Sequence, residues 1–307
     1  MHDTILSLRR KIKIAKDLQS VVVTMKSLAA SNISQFEQSV RALGEYYHTL
    51  ELGLSVCFRG IDSAKLTIKK TNQADEKIIV AVIFGSDQGL VGQFNEIVAD
   101  FAIKTLSALP GNIKVLSVGE RVHSRLEGTG LLLADLFTVP NSVKSITPLV
   151  GQILVTSERH NNHGEVSDLY LFYNRPIAGA AYAPVSQRLL PLKESWLHKL
   201  ANLPWPTNNL PELIEKENHT FRTLIREYLF VSIYQACAES LASENASRLA
   251  AMQRAENNIK ELLNDLNIAF HRTRKDGIDE ELFDVISGFE AQTKINKRIK
   301  EGIPRAV

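Results

Sequence analysis

A regular spacing of apolar residues opens this 307-residue chain and constrains its fold more than any other feature. From Ile5 to Leu54 apolar side chains recur at steps of three or four residues, and the steps average 3.5 residues. That mean is the heptad spacing, at which an α-helix supercoils left-handed to keep a narrow seam against a partner. The pattern predicts an N-terminal coiled-coil helix over residues 1–60, roughly 80 Å long. Its predicted seam comprises Ile5, Leu8, Ile12, Ala15, Leu18, Val22, Met25, Ala29, Ile33, Phe36, Val40, Leu43, Tyr47, Leu50 and Leu54.

A second stretch with the same spacing lies near the other end of the chain, where no proline occurs between Pro211 and Pro304. It predicts a C-terminal coiled-coil helix over residues 210–290 that begins near Pro211 and bends at Asp276–Gly277, followed by a basic extension over 291–307. The simplest arrangement pairs the two terminal helices antiparallel, although pairing of each helix with another chain would give the same spacing. The predicted C-terminal seam comprises Met252, Ala255, Ile259, Leu262, Leu266 and Ala269.

Residues 77–195, between the two helices, have a different pattern. The continuous apolar run from Ile78 to Phe84 is typical of a strand buried on both faces. Strands alternating with helices indicate a small domain with a largely parallel sheet. The predicted fold class is therefore α/β, with a long antiparallel two-helix coiled coil from both chain ends and a central Rossmann-like α/β domain. Further predicted elements are strands at 114–119 and 168–174 and helices at 93–108, 120–127 and 144–160.

Composition narrows the functional classes. No run of 18 apolar residues is present, so no transmembrane helix is predicted, and the start lacks the apolar core of a secretory signal. Cys57 and Cys237 lie far apart, which favours two free thiols in a reducing compartment. The formal net charge of +2 combines two basic ends, residues 1–30 and 291–307, with an acidic body. Those ends indicate either a shared negatively charged partner or two solvated helix faces.

The sequence offers little catalytic chemistry. The loop Gly85–Gln93 follows the first predicted strand but matches neither GxxxxGK[ST] nor GxGxxG, so its glycines either contact a nucleotide in an unfamiliar way or ease a tight turn. His160 and His163 are spaced to reach one metal ion, or they belong to a polar helix end. We therefore predict no catalytic, cofactor-binding or metal-binding residue, and no cofactor.

Three segments carry a family resemblance. They are Arg9–Ile12 with Thr24–Ser31, the loop Ser86–Asn95, and Ile233–Gln235 followed by Glu239–Met252. Together they resemble the γ subunit, or central rotor stalk, of F-type ATP synthases. Departures at Asp17–Lys26 and at Gln88 and Gln93 resemble the N-type, sodium-translocating subfamily of bacteria and archaea.

The resemblance implies a non-catalytic rotor shaft that couples rotation of the c ring to conformational change at the catalytic β subunits. It implies α and β subunits of the catalytic ring, an ε subunit and the membrane c ring as partners, with no nucleic acid and no direct membrane insertion. The implied location is the cytoplasmic face of a bacterial or archaeal plasma membrane. The implied subunit-contact residues are Met25, Lys26, Glu244, Arg248, Lys275, Asp279 and Glu281, with Asp279 standing where the family commonly has threonine.

Two other classes compete with this interpretation. A nucleotide-dependent enzyme needs a phosphate-binding loop, which the sequence does not supply. An independent coiled-coil adaptor or nucleic-acid-binding protein would explain the seams and basic ends but not the α/β insert. For Glu244 and Arg248 the alternative to a subunit contact is an intrahelical ion pair. Residues four apart on a helix form such pairs, which are worth about 0.3–0.5 kcal/mol.

Overall fold

The computed structural model describes residues 4–60, 78–159, 168–177, 180–209, 211–212 and 217–300. The chain divides into two compact units, one of Met1–Met25 with Met252–Val307 and one of Lys26–Ala251. The elements are α1 Ile5–Gly60, β1 Ile78–Phe84, α2 Phe94–Leu106, β2 Asn112–Val118, α3 Glu120–Leu126, β3 Leu132–Phe137, a 3₁₀ turn Val143–Ser145, α4 Ile146–Arg159, β4 Asp168–Ile177, β5 Ala180–Leu190, α5 Glu194–Ala201 and α6 Glu217–Lys300.

The unit Lys26–Ala251 is built on a five-stranded sheet in the order β3-β2-β1-β4-β5. β1, β2, β3 and β4 are mutually parallel, and β5 pairs antiparallel with β4. β1 is central and six of its seven residues are buried, as its continuous apolar run predicts. α2 and α3 pack on one face of the sheet, and α4 and α6 on the other. The predicted α/β fold class with a largely parallel sheet is confirmed.

The sequence did not reveal the two outer strands or the short helix α5. β3 and β5 both lie at sheet edges, where only one side of the strand is paired. β5 contains Pro184, which a central strand would exclude and an edge strand tolerates. β3 is rich in leucine and lacks the β-branched residues that favour strands. Neither segment therefore has a local strand pattern.

Within the same unit, α1 pairs antiparallel with the first part of α6. The Phe58 ring lies 5.3 Å from that of Phe221, and Asn32 Nδ2 donates a 3.3 Å hydrogen bond to Asn245 Oδ1. Early residues of α1 therefore meet late residues of α6, as predicted for chain ends that pair with each other. The pairing extends to a cluster that includes Leu54 of α1 and Leu200 of α5.

The segment of α6 between residues 231 and 247 is buried on nearly every side. Small side chains occupy most of it, and those of Ala236, Ala238 and Ala242 have almost no exposed surface. They share one core cluster with Phe36 of α1 and with strands β1 and β4. Because small residues allow close backbone approach, this segment fits between α1 and the sheet.

The unit of Met1–Met25 and Met252–Val307 contains the start of α1 and the later part of α6. Leu8, Ala15 and Met252 are buried, and the Arg9 guanidinium lies 5.6 Å from the centroid of the Phe270 ring. The predicted seam is correct at all but two of its positions. Leu18 and Leu262 are 51% and 49% exposed, and their neighbours Gln19 and Leu263 are half-buried instead. In a helix of 3.6 residues per turn, the next seam residue can follow after three or after four positions. At these two places the prediction took the more apolar candidate, and the half-buried residue is the neighbouring one.

Two further predictions about α6 are wrong. Pro211 and Glu212, expected in the first turn, are not helical, and the described helix runs from Glu217. The helix also runs unbroken through Asp276–Gly277, because one glycine costs only about 1 kcal/mol in a helix of otherwise favourable residues.

Continuing to Lys300, α6 includes the first part of the predicted extension. The predicted domain boundaries remain predictions, and His160 and His163, for which the sequence left open a metal site or a polar helix end, lie outside the described residues.

The α6 seam can be tested with two neighbouring substitutions. We expect Ile259→Asp to lower the free energy of unfolding by about 2–4 kcal/mol, because it places a charge on the packed face. Leu262→Asp introduces the same residue on the exposed face, and we expect a change within about 0.5 kcal/mol. Urea denaturation followed by circular dichroism measures both values. Equal losses in the two variants would contradict the observed seam.

Candidate functional site

The loop between β1 and α2 is held by a carboxylate from within it. Asp87 accepts hydrogen bonds from the backbone N–H of Glu120, at 3.0 Å, and from that of Val139, at 2.9 Å. Glu120 is the first residue of α3, and Val139 follows β3. One side chain therefore ties together three segments at the carboxyl end of the parallel strands, where open α/β sheets usually bind ligands.

A second set of hydrogen bonds closes the same loop. Asn95 accepts a 2.9 Å bond from the Ser86 backbone N–H through Oδ1 and donates a 2.9 Å bond to Ser86 Oγ through Nδ2. Ser86 Oγ in turn donates to the carbonyl of Gln88, also at 2.9 Å. The serine and asparagine of the loop motif thus bond to each other and to the loop backbone.

Two glycines near the loop are explained by close packing. A Cβ added at Gly85 would lie 2.4 Å from Cβ of Val122. Gly119 has a φ of +113°, and a Cβ there would lie 2.8 Å from the Ser86 backbone. Of the two interpretations of this loop, these distances favour the tight turn over a nucleotide cradle.

Glu244 and Arg248 of α6 form a buried ion pair beside this loop. Their Oε1 and Nη2 atoms are 2.6 Å apart, and the side chains are only 7% and 13% exposed. On the same helix, Ser247 Oγ donates a hydrogen bond to the carbonyl of Val91 in the loop. The surface value of about 0.3–0.5 kcal/mol therefore does not apply, because a buried pair that loses one partner leaves a desolvated charge behind.

The electrostatics of the pair follow from its burial. Burial raises the pKa of the Glu244 carboxyl above its ordinary value, the Arg248 guanidinium opposes that rise, and the charge of Asp87 adds to it. Arg248 Nε has no hydrogen-bond partner within the described parts of the chain. The arginine therefore balances the charge of Glu244, while one of its five N–H donors stays buried without an acceptor.

The other predicted contact residues belong to other segments of the two long helices. Met25 and Lys26 are half-buried on α1, whereas Lys275, Asp279 and Glu281 are exposed on α6. Sequence reasoning singled out the loop motif but missed the roles of Asp87, Asn95 and Ser247. The signal was the motif itself, yet its partners Glu120 and Val139 lie 33 and 52 residues away from Asp87.

The last described part of α6 has an uncovered apolar face. Every residue from 278 to 297 is exposed, and five apolar side chains within this segment share one helix face at spacings of four, three, one and three residues. We call this face the apolar stripe; it comprises Ile278, Leu282, Val285, Ile286 and Phe289, which are 46–75% exposed. Contiguous exposed apolar surface of this kind marks interaction sites.

Searches of the described residues for two other kinds of site were negative. No cluster of three or more His, Cys, Asp or Glu side chains is arranged to hold a metal ion. None of the described helices is both long and apolar enough to cross a bilayer.

Comparison with known proteins gives one consistent result. Residues 4–292 match the family model described as ATP synthase. The chain is 26% identical over 292 residues to an ATP synthase gamma chain of Ehrlichia ruminantium strain Gardel, covering 92% of this chain and 95% of that relative. A gamma chain of strain Welgevonden is 26% identical over 294 residues, with the same coverage.

Solved structures share the fold. A chain of the Euglena gracilis mitochondrial ATP synthase, in its OSCP/F1/c-ring assembly, gives a TM-score of 0.61 at 18% identity, covering 95% of this chain and 96% of that one. A chain from the central stalk and c-ring of the Tetrahymena thermophila enzyme gives 0.53 at 20% identity, covering 76% and 99%. This chain, with its long terminal helices and five-stranded mixed sheet, thus has a fold similar to the ATP synthase central stalk.

The buried ion pair predicts a large and pH-dependent mutational effect. We expect Arg248→Met to lower the free energy of unfolding by about 3–5 kcal/mol, and the double variant Glu244→Gln/Arg248→Met to recover most of it. Without its partner the pKa of Glu244 rises further, and a raised carboxyl pKa removes stability as the pH rises through it. The loss should therefore be smaller near pH 5 than near pH 8.

Denaturation at both pH values measures these effects, with Arg254→Met, at an exposed arginine of the same helix, as control. A loss no larger than that of the control would show that the pair contributes little.

The loop geometry also predicts that the isolated chain binds no nucleotide tightly. The N–H of Glu120 at the start of α3, where a phosphate would bind, is already bonded to Asp87. Isothermal titration calorimetry with MgATP should give no heat of binding at micromolar concentrations. Micromolar binding that disappears in Asp87→Asn would contradict this prediction.

Proposed function

We propose that this chain, which belongs to the γ-subunit family of F-type ATP synthases, couples rotation of a membrane c ring to conformational change at the catalytic β subunits. In this role it catalyses nothing itself and acts through its shape and stiffness. A shaft that presents a different face to each catalytic subunit biases each nucleotide site toward a different conformation, since a contact shifts a two-state equilibrium by its difference in free energy between the states. The match over residues 4–292 does not favour the competing adaptor or nucleic-acid-binding function.

The apolar stripe on α6 is the observation that carries this proposal. Burying five exposed apolar side chains of a helix against a partner is favourable, and in the proposal the ring of catalytic subunits around the shaft is that partner. Apolar contact is non-directional, so its energy changes little as one surface turns past another. A stripe without hydrogen-bonding side chains therefore suits a bearing surface, where fixed polar bonds would have to break at every step of rotation.

Polar residues of the chain have a complementary role in the proposal. Arg248 lies beside a loop of the α/β domain with 13% of its side chain exposed, and we propose that this exposed part contacts a carbonyl or carboxylate on a loop of the ring. Lys275, Asp279 and Glu281 are exposed charges next to the apolar stripe, where they would set the preferred angles of rotation. Met25 and Lys26 are the proposed contacts of α1 with a catalytic subunit.

We further assign the chain to the N-type, sodium-translocating subfamily, at the cytoplasmic face of a bacterial or archaeal plasma membrane. The departures at Asp17–Lys26, Gln88 and Gln93 support this assignment. In this assembly α and β subunits would form the catalytic ring around the shaft, and an ε subunit and the c ring would contact the α/β domain. Sodium-dependent ATP hydrolysis by the assembled complex would test the ion, and hydrolysis that responds only to protons would exclude the subfamily.

The bearing role predicts that the apolar stripe matters in the complex and not in the free chain. We expect Phe289→Asp to leave the free energy of unfolding within about 0.5 kcal/mol of wild type, since the side chain is 75% exposed. In the complex co-expressed with the catalytic subunits of the same genome, we expect the substitution to lower recovery of the ring subunits or their ATP hydrolysis by about tenfold.

The control is Ser287→Asp, which adds the same charge to the opposite face of the same exposed segment. Copurification and ATPase assays of both variants provide the test. A wild-type chain that recovers no ring subunits would refute the proposed function. Equal behaviour of the two variants would refute the role of the apolar stripe.

A further inference from the structure

The free side of β3 is unusual for an edge strand. Leu132 and Leu136 are 60% and 45% exposed, and no described strand pairs with the outer side of β3. The N–H of Gly119 bonds to the carbonyl of Phe137 at 2.9 Å, so the backbone of Phe137 faces β2. Alternation along the strand then turns the N–H and C=O of Leu136 outward. The edge therefore offers both unpaired backbone groups and apolar side chains.

The other edge of the sheet provides a comparison within the same molecule. Exposed edges invite pairing with other chains, and proteins usually block them with proline or with charged side chains, lysine above all. β5 contains both Pro184 and Arg188. β3, with the sequence Leu-Leu-Ala-Asp-Leu-Phe, has neither proline nor a basic residue. β3 thus has one charged residue, Asp135, and no proline, so its edge carries fewer of the usual blocking residues than that of β5.

A groove runs along α4, beside the last residue of β3 and the segment that follows it. It consists of two adjoining cavities of about 270 and 550 Å³ that share Pro148 and Gln152. Its apolar walls include Phe137 of β3 and Val155 of α4, and a Cβ added at Gly151 would meet no atom within 4 Å. Pro148, Gly151 and Val155 lie on one face of α4, so the groove is as long as most of that helix.

The groove contains a single charged lining residue, Arg159, at the end of α4. Among the residues that the structure describes, none forms an ion pair or hydrogen bond with the Arg159 side chain. The polar residues at the other end of the groove, Asn141 and Ser145, are neutral. A complementary partner would therefore be apolar along most of its length and carry a carboxylate at the Arg159 end.

We propose that the β3 edge and the α4 groove bind an extended segment of another subunit of the rotary complex by β-strand addition. The segment pairs with the outward backbone groups of β3, places alternate apolar side chains in the groove, and pairs an acidic residue with Arg159. A helix would not serve, because its backbone groups are already bonded internally, whereas a strand satisfies the edge and fills the side pockets at once. The proposal rests on the proposed function for the source of the partner.

Hydrogen exchange tests the edge directly. Amide exchange is measured by mass spectrometry on the free chain and on the complete complex purified through a tag on this chain. We expect the peptide containing Leu136 to exchange rapidly in the free chain and about tenfold more slowly in the complex. Unchanged exchange in a complex that contains ring subunits would overturn the docking proposal and leave the proposed function standing. Slow exchange in the free chain already would also overturn it.

Matched variants test the partner. Leu136→Lys blocks the edge, and Ile177→Lys is its control, because Ile177 is an apolar strand residue with 44% exposure. We expect the first variant alone to lose one subunit other than the ring subunits, by about tenfold, while the free chain keeps its melting temperature. Arg159→Glu should lose the same subunit, and Arg159→Lys should retain it.

Full subunit content in both Leu136→Lys and Arg159→Glu would overturn the proposal. A wild-type chain that recovers no ring subunits would instead refute the proposed function, and with it the proposed source of the strand.

Discussion

The close packing of α6 between α1 and the sheet is the constraint on which the rest of the α/β unit depends. Small residues such as Ala236, Ala238 and Ala242 let the helix backbone approach both neighbours, and large ones such as Phe36 fill the space that remains. A larger side chain in this segment would separate α1 from the sheet, since packed interiors absorb extra volume poorly. In this segment of α6 the available volume therefore limits the size of the side chains. The exposed end of the same helix is not under that constraint.

Polar groups complement this packing where α6 meets the loop after β1. Asp87 fixes the loop to α3 and to the segment after β3, and Ser247 fixes α6 to the loop. Glu244 and Arg248 are buried at the same place, which costs desolvation energy that an apolar pair would not incur. The Arg248 side chain is 13% exposed, and the proposed function gives that exposed part a contact with the catalytic ring. This is why we interpret Arg248 as both a structural and an interaction residue.

The absence of recognisable catalytic chemistry in the sequence is consistent with a mechanical subunit. A rotor needs a stiff shaft, a surface that slides and a base that is firmly held. In the proposed function, paired helices supply stiffness, the apolar stripe a sliding surface, and the sheet a base on which other subunits assemble. These are properties of shape and surface, and no single residue provides them.

Local pattern determined much of this protein. The heptad spacing identified α1 and most of its seam, the apolar run identified β1 as a central strand, and the motifs around Asp87 and Glu244 indicated the family. Each of these signals lies within a few consecutive turns or residues, and local periodicity follows directly from helix and strand geometry.

The tertiary structure decided what depends on contacts between distant segments. It exposed Leu18 and Leu262, placed β3 and β5 at the sheet edges, and buried Glu244 with Arg248 beside a loop more than 150 residues earlier in the chain. Burial and edge position depend on which segments pack beside a residue. Those segments are distant in the sequence, so the local sequence does not reveal them. For that reason the family was readable from the sequence, whereas the surfaces on which both proposals rest emerged only from the fold.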